Sequence, residues 1–215
     1  MEQQRLIITI NRECGSGGGS IARMLGEKLG LKVYDRTLLE GLAEQYGMTV
    51  EKLDQIKAKN PHWWDDICHF YKQFGAFRTH KVTPDLTPMT LYAAEARLMR
   101  EVAEKESCII IGRAGFHTFS DYPEALHIFI IADRDARISR IAQKENLSIE
   151  EAAKIVDRID KDRDTFIKNV ADVSRYDARN YNLVLKVSGS SPESVASFLA
   201  DNIRLRLQHA PNTVL

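Results

Sequence analysis

Residues Leu6 to Ser20 read LIITINRECGSGGGS. An apolar run rich in β-branched residues, Leu6–Ile10, enters a turn that holds Gly15, Gly17, Gly18 and Gly19. A helical pattern follows, with Ile21, Met24, Leu25 and Leu29 on one face, and Gly30 stops it. Strand, glycine turn and helix in that order form an arrangement that binds phosphate. Consecutive glycines let N–H groups converge on an anion without Cβ clashes, and the helix adds the positive end of its dipole. A glycine turn with no ligand is the plainer alternative. The strand before it and the amphipathic helix after it argue for the ligand.

The rest of the chain repeats the alternation. Apolar runs at Lys32–Tyr34, Cys108–Ile111, Leu126–Ile131 and Leu183–Val187 read as strands, and helical patterns separate them. The runs do not alternate polar with apolar, which is the pattern of a parallel sheet covered on both faces, an α/β fold. Helices are expected after Asp35, on Leu38, Leu39, Leu42 and Ala43, and from Thr87-Pro88 to about Lys105. Two more run from Asp133 to Lys144 and from Ser148 to about Lys168. The run Ser190–Glu193 (SSPE) reads as a capping box for a last helix that reaches about Gln208. Residues 47–87 break the alternation and carry Trp63, Trp64, Phe70 and Tyr71. They read as a helical insertion above the carboxyl edge of the sheet, where such folds bind ligands. Packing against the core or a second subunit is the alternative. His62 and His69 have weak spacing for a metal.

Composition bounds the partners. The 215 residues carry 30 basic and 30 acidic side chains, so no global field draws the chain toward nucleic acid or a membrane. The length suits a single domain, 1–215. Cys14, Cys68 and Cys108 are far apart, which speaks against a disulfide framework or a zinc site. Cys108 reads as a buried thiol. No stretch is long and apolar enough for a membrane span, and MEQQRLIITI lacks a signal-peptide pattern, so a cytoplasmic protein is expected.

Two nucleotide readings of the loop compete. In the phosphate loop G-x-x-G-x-G-K-G-T, Arg12 stands at the first glycine, Gly18 stands at the lysine, and Ser20 keeps the hydroxyl that holds magnesium. In the dinucleotide fingerprint G-x-G-x-x-G, Gly15 and Gly17 match and Ser20 replaces the third glycine. Asp35, twenty residues after Gly15, would then bind a ribose. Later residues favour the first reading. Gly112-Arg113 ends one strand, Arg134, Arg137 and Arg140 open the helix after another, and Arg158, Lys161, Arg163 and Lys168 crowd a charged stretch. Arginines from several loops at one sheet edge suit a substrate with several phosphates, because guanidinium pairs bidentately with phosphate oxygens. For Arg134 and Arg140 a solvated helix face is expected, and Asp133 lies one turn before Arg137 as a local partner.

Taken in order, NRECGSGGGSIARMLGEKLGLKVYDRTLL, IIIGRAGF, HIFIIADRDARISRI, DKDRDTF and YNLVLKVS resemble the cytidylate kinase-like family of P-loop proteins. The resemblance spans nearly the whole chain, and 47–87 is the least matched part. It implies a P-loop NTPase-like three-layer sandwich with a five-stranded parallel sheet, a helical insertion, and a lid at about 158–180. It implies transfer of the ATP γ-phosphoryl group to CMP or a related monophosphate, with Mg2+. By position, Gly15, Ser16, Gly17, Gly18, Gly19 and Ser20 would bind the donor phosphates, and Ser20 would ligate the metal. Asp35 and Arg113 would contact the acceptor, Arg137 and Arg158 would also bind substrate, and Arg158 and Arg163 would lie in the lid. The chain departs from cytidylate kinases at Gly18, where they have the loop lysine, at Ile111, where they have an acidic residue, and at Ala114, where they have an aspartate. Arg12, at the mouth of the loop, is the expected substitute for the lysine, and Arg12, Arg113 and Arg163 are the residues expected to carry catalysis. A binder without turnover and a dinucleotide-dependent oxidoreductase are the alternatives.

Overall fold

β-branched residues dominate the apolar runs, and the computed structural model turns each into a strand. It describes residues 4–35, 88–208 and 213–214. The strands are β1 (Ile7–Arg12), β2 (Lys32–Tyr34), β3 (Cys108–Ile111), β4 (Ala125–Ile131) and β5 (Leu183–Lys186). They form one five-stranded parallel sheet in the order β2-β3-β1-β4-β5. The register sets Ile10 opposite Ile111 on one side and Ile128 on the other. Arg12 reaches further and pairs with Ile130 of β4. A short parallel pair, Gln4–Arg5 with Thr213–Val214, lies outside this sheet.

The helices are α1 (Gly18–Leu29), α2 (Pro88–Lys105), α3 (Gly115–Thr118), α4 (Arg134–Glu145), α5 (Ile149–Ala171) and α6 (Pro192–Gln208). One face of the sheet (Ile8, Ile10, Ile109, Ile128 and Ile130) packs on Ile21 and Leu25 of α1 and on Leu199 and Ile203 of α6. The other face (Ile7, Cys108 and Ile110) packs on Met99 and Ala103 of α2 and on Phe119. In the three central strands both faces are buried, so nearly every position gains from being apolar; the edge strand β5 departs from the expectation, alternating half-buried with exposed residues because one of its faces is left open. Burial pushes the Cys108 thiol up to about 12, so it stays protonated and inert at neutral pH.

The helix after Asp35 and the insertion at 47–87 lie outside the described residues. Residues 158–171 of the expected lid are the second half of α5, and a 3₁₀ turn follows at Ala178–Asn180. No helix among the described residues is long and apolar enough to cross a membrane.

One expectation about a helix end needs correction. The capping box falls at α5, where Ser148 Oγ accepts the Glu151 N–H at 3.2 Å and Glu151 accepts the Ser148 N–H at 3.0 Å. At α6 the cap is Ser191, whose Oγ accepts the Ser194 N–H at 3.1 Å. Pro192 sets this register, because proline is favoured at the first helical position and the cap must precede it. Glu193 pairs with Lys28 at 2.6 Å and does not close a box with Ser190. Ser191→Ala should therefore cost about 1 kcal/mol in chemical denaturation and Ser190→Ala almost nothing; equal costs would place the cap elsewhere.

Candidate functional site

The glycine turn leaves the carboxyl end of the central strand. Gly15 and Gly17 take left-handed φ values of 76 and 85°, and Gly17 caps α1 without a side chain. A residue with Cβ would be strained at both positions. Ser16 Oγ donates to the Glu13 carbonyl at 2.9 Å and receives the Gly18 N–H at 3.4 Å. The turn is pinned from outside by neighbouring elements. Glu13 Oε2 accepts the Ala132 N–H at 3.0 Å. The Cys14 N–H donates to Asp160 Oδ1 at 2.8 Å, and Arg137 Nη1 donates to the Cys14 carbonyl at 3.1 Å. Arg140 Nη1 donates to the Gly15 carbonyl.

Arg12 ends β1, and its side chain crosses two glycines. A Cβ built on Gly18 would sit 2.6 Å from Arg12 Cβ and 3.1 Å from its Cγ. A Cβ on Gly112 would collide with Arg12 Nη1. The stem of Arg12 thus fills the space that a side chain at position 18 would need. Arg12 keeps partial surface exposure, but the atoms around its head strip water from it. This burial, with repulsion from Arg163, Arg113 and Arg175, lowers its pKa well below the usual arginine value, and Asp35 opposes the shift. Like charges gathered around a desolvated cation are costly unless an anion joins them. Glu95 and Asp160 compensate part of this charge, and the remaining excess of cations at the carboxyl edge of the sheet would suit an anion.

Arg113 follows Gly112 at the end of β3. Both Arg113 and Ala114 are left-handed, with φ of 56 and 49°. Each such non-glycine residue costs on the order of 1–3 kcal/mol and persists only where its surroundings dictate it. Arg113 Nη1 lies 3.4 Å from Glu95 Oε1 on α2. Glu95 is 1% exposed, and neither carboxylate oxygen has a hydrogen bond. Burial raises its pKa from the ordinary 4.5, and Arg113 pulls it back in part. The folded state therefore holds this proton more tightly than the unfolded chain. The stabilisation is complete below pH 4.5 and is lost as pH rises through the folded value. The melting temperature of Glu95→Gln minus that of the native protein should grow with pH above 4.5 and then level off; a difference independent of pH would refute this.

Other residues singled out in the sequence have different places. Arg137 is buried and fully engaged. It donates to Ala132, Cys14 and Asp160, the last at 2.5 Å, and lies 3.4 Å from Glu13. Its partner is not Asp133, which pairs with Lys186 at 2.5 Å. Arg134 is the solvated residue expected, in a two-pronged pair with Asp157. Arg140 differs from that expectation because it grips the loop. Arg158 is exposed on α5, and among the described residues no contact joins it to the loop. Ser20 is half-buried in the first turn of α1. Asp35 follows β2 and lies 3.7 Å from Arg23. Arg163 donates to the Arg12 carbonyl at 3.3 Å.

Sequence reasoning missed Arg175. It is 0% exposed, donates to the Arg12 carbonyl at 2.6 Å, and lies over the rings of Phe129 and Tyr176. Its own carbonyl accepts the Tyr181 hydroxyl at 2.7 Å, and that hydroxyl receives Asn11 Nδ2 at 2.7 Å. The available signal was position: Arg175 precedes the last strand and so returns to the edge where the loop lies.

The sheet order decides against the dinucleotide reading. That fold sets its second strand beside the first, so that the acidic residue ending it reaches the ribose. Here β3 stands between β1 and β2.

Known proteins share this layout. Residues 7–189 match the model of the cytidylate kinase-like family. A cytidylate kinase of Methanopyrus kandleri is 29% identical over 203 residues, covering 90% of this chain and 91% of that one. A cytidylate kinase of Archaeoglobus fulgidus is 31% identical over 142 residues, covering 64% and 61%. Among solved structures, an uncharacterized protein from Eubacterium ventriosum superposes with a TM-score of 0.67 at 22% identity, over 93% of this chain and 98% of that one. Shikimate kinase from Acinetobacter baumannii does so with a TM-score of 0.51 at 11% identity, over 95% and 96%. The structures speak for the fold, a five-stranded α/β sandwich of P-loop kinase type.

Proposed function

This chain belongs to the cytidylate kinase-like family, and on that premise we propose that it transfers the γ-phosphoryl group of ATP to a nucleoside monophosphate, with CMP the first acceptor to test. The observation that carries the reading is Arg12 laid across Gly18 and Gly112, with Arg163 and Arg175 bonded to its carbonyl and Arg113 following Gly112. Phosphoryl transfer asks a protein for positioning and charge neutralisation and little covalent chemistry. Gly15 to Ser20 would cradle the donor phosphates through backbone N–H groups. Arg12 would supply the cation that Gly18 lacks. Arg113, at a strand end and oriented by Glu95, would hold the acceptor phosphate, and Asp35 lies on the same edge toward the acceptor. Arg163, on the stretch 158–180 read as a lid, would close over the transferred group. Arg158 would join it only after α5 moves. Arg137 would serve the substrate indirectly, by holding the loop.

Among the described residues no cluster of three His, Cys, Asp or Glu side chains could hold a metal. Magnesium in such sites is carried by substrate phosphates, waters and one or two protein oxygens, so a cluster is not required. The half-buried Ser20 hydroxyl fits that sparse role. When bound there, Mg2+ would supply charge neutralisation to the substrate phosphates, with the Ser20 hydroxyl as its protein ligand.

The test is an assay of ADP release against a panel of monophosphates, run beside thermal-shift titrations with ATP-Mg2+. Turnover with a pyrimidine monophosphate supports the proposal. Stabilisation by ATP with no turnover on any acceptor would favour the binder, for which Ile111, an apolar core residue where kinases keep an acid, is the supporting observation.

A further inference from the structure

We infer that Asp160 is a positioning residue that joins the phosphate loop to the arginines around it and stands in for a bound anion; this rests on the anion-site reading above. Asp160 lies near the middle of α5 and is 8% exposed. Its Oδ1 accepts the Cys14 N–H at 2.8 Å, and its Oδ2 accepts Arg137 Nη1 at 2.5 Å. The same Arg137 nitrogen donates to the Cys14 carbonyl at 3.1 Å. The two peptides that flank Cys14 are therefore each tied to one buried ion pair from α4 and α5, the first through its N–H and the second through its C=O. Neither of these two peptides can rotate without breaking a charge-assisted bond.

The carboxylate also faces the other arginines. Arg175 lies 3.7 Å from Oδ1 and Arg163 lies 3.9 Å from it. Both of these arginines donate to the Arg12 carbonyl. Asp160 thus fixes the entrance of the turn, Cys14 directly and Arg12 through two guanidiniums. Removing one member of a buried charge set leaves the others uncompensated, and that is far costlier than never building it. The separations to Arg163 and Arg175 are long, so these two cations are held by charge more than by geometry. An entering phosphate would compete for the exposed one, Arg163, whose side chain is 25% exposed against 0% for Arg175.

Asp160→Asn keeps an oxygen for the Cys14 N–H and removes the charge. Melting is measured for the native protein and the variant at constant ionic strength, in chloride and in increasing inorganic phosphate. The variant is expected to melt lower in chloride, with at least half of the gap closed at saturating phosphate, because the anion replaces the missing charge. A purely structural aspartate would leave the gap unchanged by phosphate, and that result overturns the inference, as does a variant that melts like the native protein in chloride. Should Asp160→Asn fail to fold, Asp160→Glu decides: a native-like response to phosphate supports the inference, and a lost response overturns it. In a kinase assay Asp160→Asn should lose about 100-fold in kcat/KM, the cost of a site displaced by about 1 Å. The melting result stands apart from that loss, so a failed kinase reading and a failed role for Asp160 can be told apart.

Discussion

Arg12→Met loses roughly a thousandfold in kcat/KM for phosphoryl transfer, while the free protein melts no lower than the native one. The two effects have opposite signs for one reason. In the free protein Arg12 is a desolvated cation facing Arg113, Arg163 and Arg175, and Asp35 offsets only part of that repulsion. Methionine fills the space over Gly18 and carries no charge, so the folded state gains what repulsion had cost. In the proposed reaction the same cation would neutralise charge on the phosphoryl oxygens, and guanidinium groups in that role are worth about 10³–10⁵ in rate. Sites built for function give up stability in this way. The check is a coupled assay beside calorimetry in phosphate-free buffer. Turnover within tenfold of native, or a melting point several degrees lower, would show that Arg12 is only a structural residue.

The second large effect concerns the missing lysine. Gly18→Lys should abolish activity and cost about 1–3 kcal/mol of stability, because its Cβ meets the Arg12 Cβ at 2.6 Å. The backbone is no obstacle, since Gly18 opens α1 and has no left-handed φ. The obstacle is the Arg12 stem. The double variant Arg12→Gly/Gly18→Lys removes it and returns a cation to the same phosphates. It should recover at least tenfold in kcat/KM over the better single variant, about 1.4 kcal/mol of transition-state energy, where additive losses would leave it worse than both. Additive losses in the cycle would mean that the two positions do not exchange roles.

The fold was legible because its three central strands are buried on both faces. Ile7 to Ile10 and Cys108 to Ile111 are apolar at nearly every position, and that pattern survives without any knowledge of neighbours. The α6 cap was misread by one residue because SSPE offers two serines, and only the proline that follows them separates the two. The site was legible in its loop and at Arg113, where local order in the chain fixes the place. It was not legible at Arg175, Arg137 and Asp160, because their roles come from contacts across the chain. Asp160 meets Cys14 from 146 positions away, and Arg175 meets Arg12 from 163. No window of sequence holds both partners.

Arg12 belongs to β1, and Ile130 of β4 faces it in the ladder. A lysine at position 18 would ride on a helix end, but this guanidinium is rooted in the middle of the sheet. Its location is therefore set by the same pairing that builds the core, and no rearrangement of the loop is needed to bring it up when charge develops. The cost is tolerance. A slip of one residue in β1 would shift the charge by about 3.3 Å and turn it to the opposite face. The electrostatics of this site are a matter of strand register.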